Sequence, residues 1–164
     1  MSWACAACTL TNSDADPSCV GCGATARSGA LTGVSAAAAA RAAAAPATLD
    51  AVPEVLIDGD GVFKYVQIRV TRAEGADALL VRGHAFAAYH DDVFQTYRRA
   101  LARLPGVTAV ACPGGGRLAI DAAQRTARVY GHSIGYGRAD HAATAAALGR
   151  ALPGYAISHD DEGY

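Results

Sequence analysis

Four of the five cysteines lie within the first 22 residues, as the pairs Cys5-x-x-Cys8 and Cys19-x-x-Cys22 with ten residues between them. No other feature constrains the folding of this chain so tightly. A Cys-x-x-Cys turn aims two sulfurs at one point, and two such turns complete a tetrahedral all-thiolate zinc site. Such a site is closed, and therefore structural. Residues 1–27 hold little apolar mass beyond Trp3, Leu10 and Val20, so metal binding would supply most of their folding free energy. Structural Zn2+ on Cys5, Cys8, Cys19 and Cys22 is the expected cofactor. A disulfide reading needs an oxidising compartment. The first residues have neither the basic nor the apolar stretch of a secretory signal, and no run approaches the roughly 20 apolar residues that span a bilayer. The expected setting is the cytoplasm, with the nucleus as a second location, and no membrane association.

Residues 28–50 are mostly Ala, Gly, Ser and Thr, including Ala36–Ala40 and Ala42–Ala45. Alanine favours helix, but short isolated helices are marginal in water and this one has no apolar stripe to dock. The segment reads as a disordered linker to a domain at 51–164. The net charge is −1, from 14 basic and 15 acidic side chains, which gives no field to gather nucleic acid.

In the domain, Val52–Ile57 is a short strand, Asp58-Gly59-Asp60-Gly61 a turn, and Val62–Thr71 a long strand completing a hairpin. Ala78–His84 adds another strand. Val93, Tyr97, Leu101 and Leu104 share one helical face between Tyr89 and Leu104. Strands follow at Val107–Cys112, Leu118–Asp121 and Ala127–Tyr130, the first two separated by Gly114-Gly115-Gly116. A helix over Ala139–Leu152 and a strand at Tyr155–Ser158 complete an α/β (α+β) fold, a mixed six-stranded sheet flanked by two helices. His90 falls at the start of the first helix, where free N–H groups make an anion site and favour a neutral imidazole. Gly114–Arg117 and Gly131–Gly135 are expected to add N–H donors. For Lys64, Arg82 and Arg117 the alternative to anion binding is solvated surface charge.

Two resemblances sharpen this reading. Trp3, Cys5, Cys8, Asn12, Cys19 and Cys22 resemble the Ran-binding-protein-type zinc finger, W-x-C-x2-C-x3-N-x6-C-x2-C, whose members bind ubiquitin or single-stranded RNA. The loop Thr11–Ser18 is acidic and has no aromatic, which argues against RNA. Thr9-Leu10 resembles part of a ubiquitin contact, but Gly21 stands where an apolar side chain is expected. Weak ubiquitin binding and a plain stabilising or docking role are left level. The strings DGDGVFKYVQIRV (58–70), VRGHAFAAYHDDVF (81–94), GGGRL (114–118), VYGHSIGYGRADHA (129–142) and DEGY (161–164) resemble, in order, the phosphohistidine phosphatase or Janus family.

That second resemblance implies hydrolysis of the P–N bond of phosphohistidine, in some members phospholysine, by a monomeric domain without a catalytic metal. It implies His90 as the catalytic residue, as nucleophile or general base. Lys64, Arg82, Arg117, Ser133, Ile134 and Gly135 are the implied substrate-binding positions, and His141 a structural histidine. Phosphohistidine-bearing proteins are the implied partners. Two departures stand out. Asp91, where relatives carry a small apolar residue, puts negative charge beside the anion site and is expected to slow turnover or raise the His90 pKa. His132 adds a second imidazole. The rival reading is a catalytically weak phosphohistidine-binding or ubiquitin-linked scaffold protein.

Overall fold

The computed structural model describes residues 2–4, 11–13 and 48–161. The chain divides into two compact units, Met1–Ala47 and Thr48–Tyr164. In the first, β1 (Ser2–Ala4) pairs antiparallel with β2 (Thr11–Ser13), with Trp3 opposite Asn12. The four cysteines of the expected zinc ribbon, and the expected linker as far as Ala47, lie outside the described residues. The second unit begins earlier than its composition suggests. A 3-10 turn at Leu49–Ala51 buries Leu49 among core side chains, so Thr48–Asp50 belong to the domain and not to the linker.

Six strands form one mixed sheet: β3 (Val55–Ile57), β4 (Gly61–Arg72), β5 (Ala78–His84), β6 (Val107–Asp121), β7 (Thr126–Tyr130) and β8 (Ala156–His159). Their order is β3-β5-β4-β6-β7-β8. The pairs β3/β5 and β7/β8 are parallel and the other three antiparallel. Helix α1 (His90–Leu101) packs Val93, Phe94 and Leu101 on one face of the sheet, against Val66, Ile68, Val70 and Leu80. Helix α2 (His141–Ala151) packs Ala147 and Leu148 on the other, against Phe63, Tyr65, Val81, Leu118 and Val129. Strand β4 is buried on both faces, so its apolar residues run on rather than alternate. No helix among the described residues is long and apolar enough to cross a membrane.

Two sequence expectations are corrected. The strands on either side of Asp58–Gly61 do not form a hairpin. Both edges of the doubly buried β4 are taken by β5 and β6, and the three-residue β3 pairs parallel with β5 instead. The triple glycine is not a break between strands, because β6 runs through it without interruption. These glycines stand where neighbours press against the strand. A Cβ on Gly114 would lie 2.5 Å from the Arg138 carbonyl oxygen, and one on Gly116 2.6 Å from that of Tyr130. The N–H of Gly115 donates to the Gly137 carbonyl at 3.1 Å, so it is spent on structure rather than offered to an anion.

A buried polar cluster ties α2 to the sheet. Gln67, 2% exposed, donates to the Asp140 carbonyl and the Thr144 hydroxyl, both at 2.9 Å, and accepts from the Asp140 N–H. The Asp140 carboxylate caps the helix by accepting from the Ala143 N–H at 2.9 Å. Every polar atom of the Gln67 amide is thus engaged, as burial demands. Gly114→Ala is expected to cost about 2–3 kcal/mol, because its Cβ would meet backbone atoms of Arg138 and Ala139 and no flexible side chain. Chemical denaturation of the variant checks this.

Candidate functional site

His90 is the first residue of α1 and 7% exposed. Its Nε2 lies 2.9 Å from the Gly116 carbonyl oxygen. A carbonyl only accepts, so Nε2 carries the proton, and the neutral ring keeps its lone pair on Nδ1, which has no partner among the described residues. The absence of a side chain at Gly115 allows this approach. A Cβ there would lie 2.8 Å from His90 Cδ2 and 3.3 Å from Ser133 Cβ, which also places Ser133 beside the same glycine.

Strand register supplies the cations. Lys64 on β4 pairs with Arg117 on β6 and with His84 on β5, forming one row on the α1 face of the sheet. Lys64 is half-buried and has no hydrogen-bond acceptor among the described residues. The His90 pKa is held below the ordinary histidine value, chiefly by burial, with Lys64, Arg117 and the exposed His132 adding to the effect against the opposing Gly116 bond. Asp91 does not raise it, contrary to expectation. Its carboxylate is taken up by the Tyr136 hydroxyl and by Gln95, and it is not among the charges acting on His90.

The segment Gly131–Gly137 completes the site. Within it, Ser133 and Gly137 hold each other by reciprocal backbone bonds at 3.1 and 2.8 Å. Ser133 is buried, and its Oγ accepts from the Tyr136 N–H at 3.2 Å, leaving the hydroxyl proton to donate. The N–H groups of Ile134 and Gly135 have no acceptor among the described residues, while the Ile134 side chain is 80% exposed. From the opposite face, His141 fixes the start of this segment. Its Nε2 donates to the Gly131 carbonyl at 2.8 Å, and its Nδ1 accepts from the Tyr65 hydroxyl at 2.7 Å. His141 is therefore structural in geometry.

Arg82 is not with the others. It is 2% exposed, and its guanidinium donates to the carbonyls of Pro53, Glu54 and Val81 at 2.9, 3.1 and 2.8 Å and lies 5.2 Å from the centre of the Tyr97 ring. Burial lowers its pKa to about 10, so it remains charged at neutral pH. It serves to hold the chain entering β3, so neither a pocket role nor a solvated surface charge describes it. His84 carries no role assigned from the sequence, yet its Nδ1 meets Asp58 at 3.0 Å and its Nε2 meets the Tyr97 hydroxyl at 2.5 Å. The hint available was Asp58, which the sequence offered as a turn residue. Burial raises the Asp58 pKa, but hydrogen bonds from His84 and the Ala85 N–H outweigh it and leave the carboxyl lowered.

Next to Lys64 and Arg117, the same sheet face continues as a row of Val62, Ala119, Arg128 and Ser158 across β4, β6, β7 and β8. These residues line an open trough of about 490 Å3. A neutral, half-sequestered imidazole beside a cationic row and unspent N–H donors defines a site for a tetrahedral oxyanion, with a base or nucleophile at hand. The comparisons agree with that class. Residues 49–156 match the Janus/Ocnus family, and the chain belongs to it. It is 37% identical over 127 residues to the 14 kDa phosphohistidine phosphatase of Sus scrofa, covering 74% of this chain and 99% of that one. It is also 40% identical over 116 residues to the sex-regulated protein janus-A of Drosophila melanogaster, covering 71% of this chain and 84% of that protein. The janus-A of Drosophila pseudoobscura pseudoobscura is 41% identical over 119 residues, covering 69% and 78%.

Removing the buried guanidinium tests its assignment. Arg82→Met is expected to lower unfolding stability by about 2–3 kcal/mol, because three carbonyls lose a charged donor. Thermal and urea unfolding read this directly.

Proposed function

We propose that the domain is a protein phosphohistidine phosphatase with His90 as its catalytic residue. The observation that carries the reading is the His90 Nε2 bond to the Gly116 carbonyl, which leaves a neutral ring with its lone pair on Nδ1 among cations. Similarity to the 14 kDa phosphohistidine phosphatase supports the choice of substrate. Lys64 and Arg117 attract the phosphoryl dianion. The Ser133 hydroxyl and the N–H groups of Ile134 and Gly135 take its oxygens. A P–N bond breaks readily once its nitrogen is protonated, so positioning and charge stabilisation carry most of the work. His90 Nδ1 either attacks phosphorus or takes a proton from an attacking water, and trapping of a phosphoryl group on His90 separates the two routes. The open trough beside Arg117 suits a phosphohistidine presented on a protein surface better than a free amino acid.

For residues 1–27 we propose a structural zinc site on Cys5, Cys8, Cys19 and Cys22, resembling a Ran-binding-protein-type finger, that docks proteins, with ubiquitin a weak ligand. Four thiolates form a complete tetrahedral set with no open position, so this metal would stabilise its own unit and take no part in phosphoryl transfer.

His90→Ala is expected to abolish phosphate release from a phosphohistidine peptide with the circular dichroism unchanged. Retained turnover in that variant sinks the assignment. Because the reactive ring is neutral, kcat/KM should rise with pH through a midpoint below the ordinary histidine value of 6.5, and Lys64→Met should move that midpoint upward by removing a neighbouring cation. Elemental analysis should find one zinc per chain, lost in Cys19→Ser, with phosphatase activity unaffected. Equal zinc in the variant and the wild type argues against the finger.

A further inference from the structure

Asp91 is the group least expected at an anion site. It is the second residue of α1, next to His90, in a first turn whose remaining free N–H groups attract phosphate, while the neighbouring Asp92 is held by the Tyr89 N–H at 2.7 Å. A carboxylate there competes for those donors and repels a dianion. In this fold both neighbours of the Asp91 carboxylate are donors. The Tyr136 hydroxyl donates to Asp91 Oδ1, and Gln95 Nε2 donates to the same oxygen at 3.1 Å. Gln95 lies one turn further along α1, and so, beyond it, does Arg98, the cation that acts on Asp91. Both therefore draw the carboxylate away from the helix start.

The Tyr136 ring does not depend on this bond for its place. It stands edge-on to Phe94, with centroids 5.6 Å apart and planes at 73°, and packs on the α1-side core, while its N–H is bound to Ser133 Oγ. A hydrogen bond to an exposed carboxylate such as Asp91 adds little to stability. What the bond does fix is a direction, because a rigid phenol reaches a short and otherwise mobile side chain.

We infer that Tyr136 is a positioning residue for Asp91, its hydroxyl turning the carboxylate back along α1 so that His90 stays clear for the phosphoryl group. The inference rests on the phosphatase reading of the site, but its binding arm needs no turnover.

The experiment compares wild type, Tyr136→Phe, Asp91→Ala and the double variant in two assays, hydrolysis of a phosphohistidine peptide and titration with inorganic phosphate. Tyr136→Phe is expected to raise KM and the phosphate dissociation constant about three-fold, the scale of one solvent-exposed charge near a dianion, with kcat changed by less than about 1.5-fold. Asp91→Ala should behave like wild type, and the double variant should return to wild-type values, since no carboxylate remains to be turned. Gln95→Ala should shift both constants in the same direction by a smaller factor, and stands in if Tyr136→Phe fails to fold. A double variant as impaired as Tyr136→Phe overturns the inference, because Tyr136 then acts as a tether of its loop. So does Asp91→Ala impaired as much as Tyr136→Phe, or no effect of either Tyr136→Phe or Gln95→Ala. Absence of hydrolysis in wild type with the phosphate pattern intact would refute the phosphatase reading and leave this one standing.

Discussion

The bond from His90 Nε2 to the Gly116 carbonyl joins the first residue of α1 to the middle of β6, and the rest of the site is arranged around it. It sets the tautomer, since an acceptor on Nε2 forces the lone pair onto Nδ1. It also sets the depth of the ring, which comes so close to the strand that Gly115 has no room for a side chain. An alanine at 115 would meet the Tyr65 carbonyl oxygen at 2.7 Å as well as His90 and Ser133, so it would displace the strand, the imidazole and Ser133 together. One missing methyl group therefore keeps the two principal side chains of the site in register with each other.

The opposite face of the sheet holds the other half of the site by similar means. His141 repeats the pattern of His90, with Nε2 on a carbonyl, but its Nδ1 is closed off by the Tyr65 hydroxyl. With both nitrogens engaged, His141 is a strut; the open nitrogen of His90 is what suits that residue to the role proposed for it. Gly116, against which a Cβ would meet both His141 and Tyr65 at 2.9 Å, lies between the two rings. The glycine run is thus the thin section of the sheet, where the two faces come close enough for one strand to position both histidines.

This explains what the sequence could and could not reveal. Helical spacing located α1, and apolar or alanine-rich runs between turn residues located β5, β7 and α2, to within a few residues. Gly114–Gly116 misled, since three glycines ordinarily mark a break; here the reason for them is crowding by Arg138, Tyr130 and His90, which are distant in sequence. Lys64 and Arg117 are 53 positions apart and become neighbours only through strand pairing, so no spacing rule reaches them, and the family resemblance was what joined them. Arg82 showed the reverse failure. A charged residue in a motif suggested substrate, while its three carbonyl partners come from backbone that leaves no pattern in the sequence. In the sequence Asp91 reads as a disturbance because its partner, Tyr136, lies 45 residues away.

Lys64 and Arg117 create a tension that the geometry resolves. They favour a phosphoryl dianion, and the same field lowers the basicity of His90. In the free protein this keeps the imidazole neutral and ready. In the proposed reaction the bound dianion cancels much of that field, so the proton affinity of Nδ1 rises at the moment when it must bind a proton or phosphorus. A permanent carboxylate beside His90 would have cancelled the field before substrate arrived, weakening attraction and raising the pKa together. Under that proposal the bond between Tyr136 and Asp91 matters for the same reason, since it holds a carboxylate that is not among the charges acting on His90.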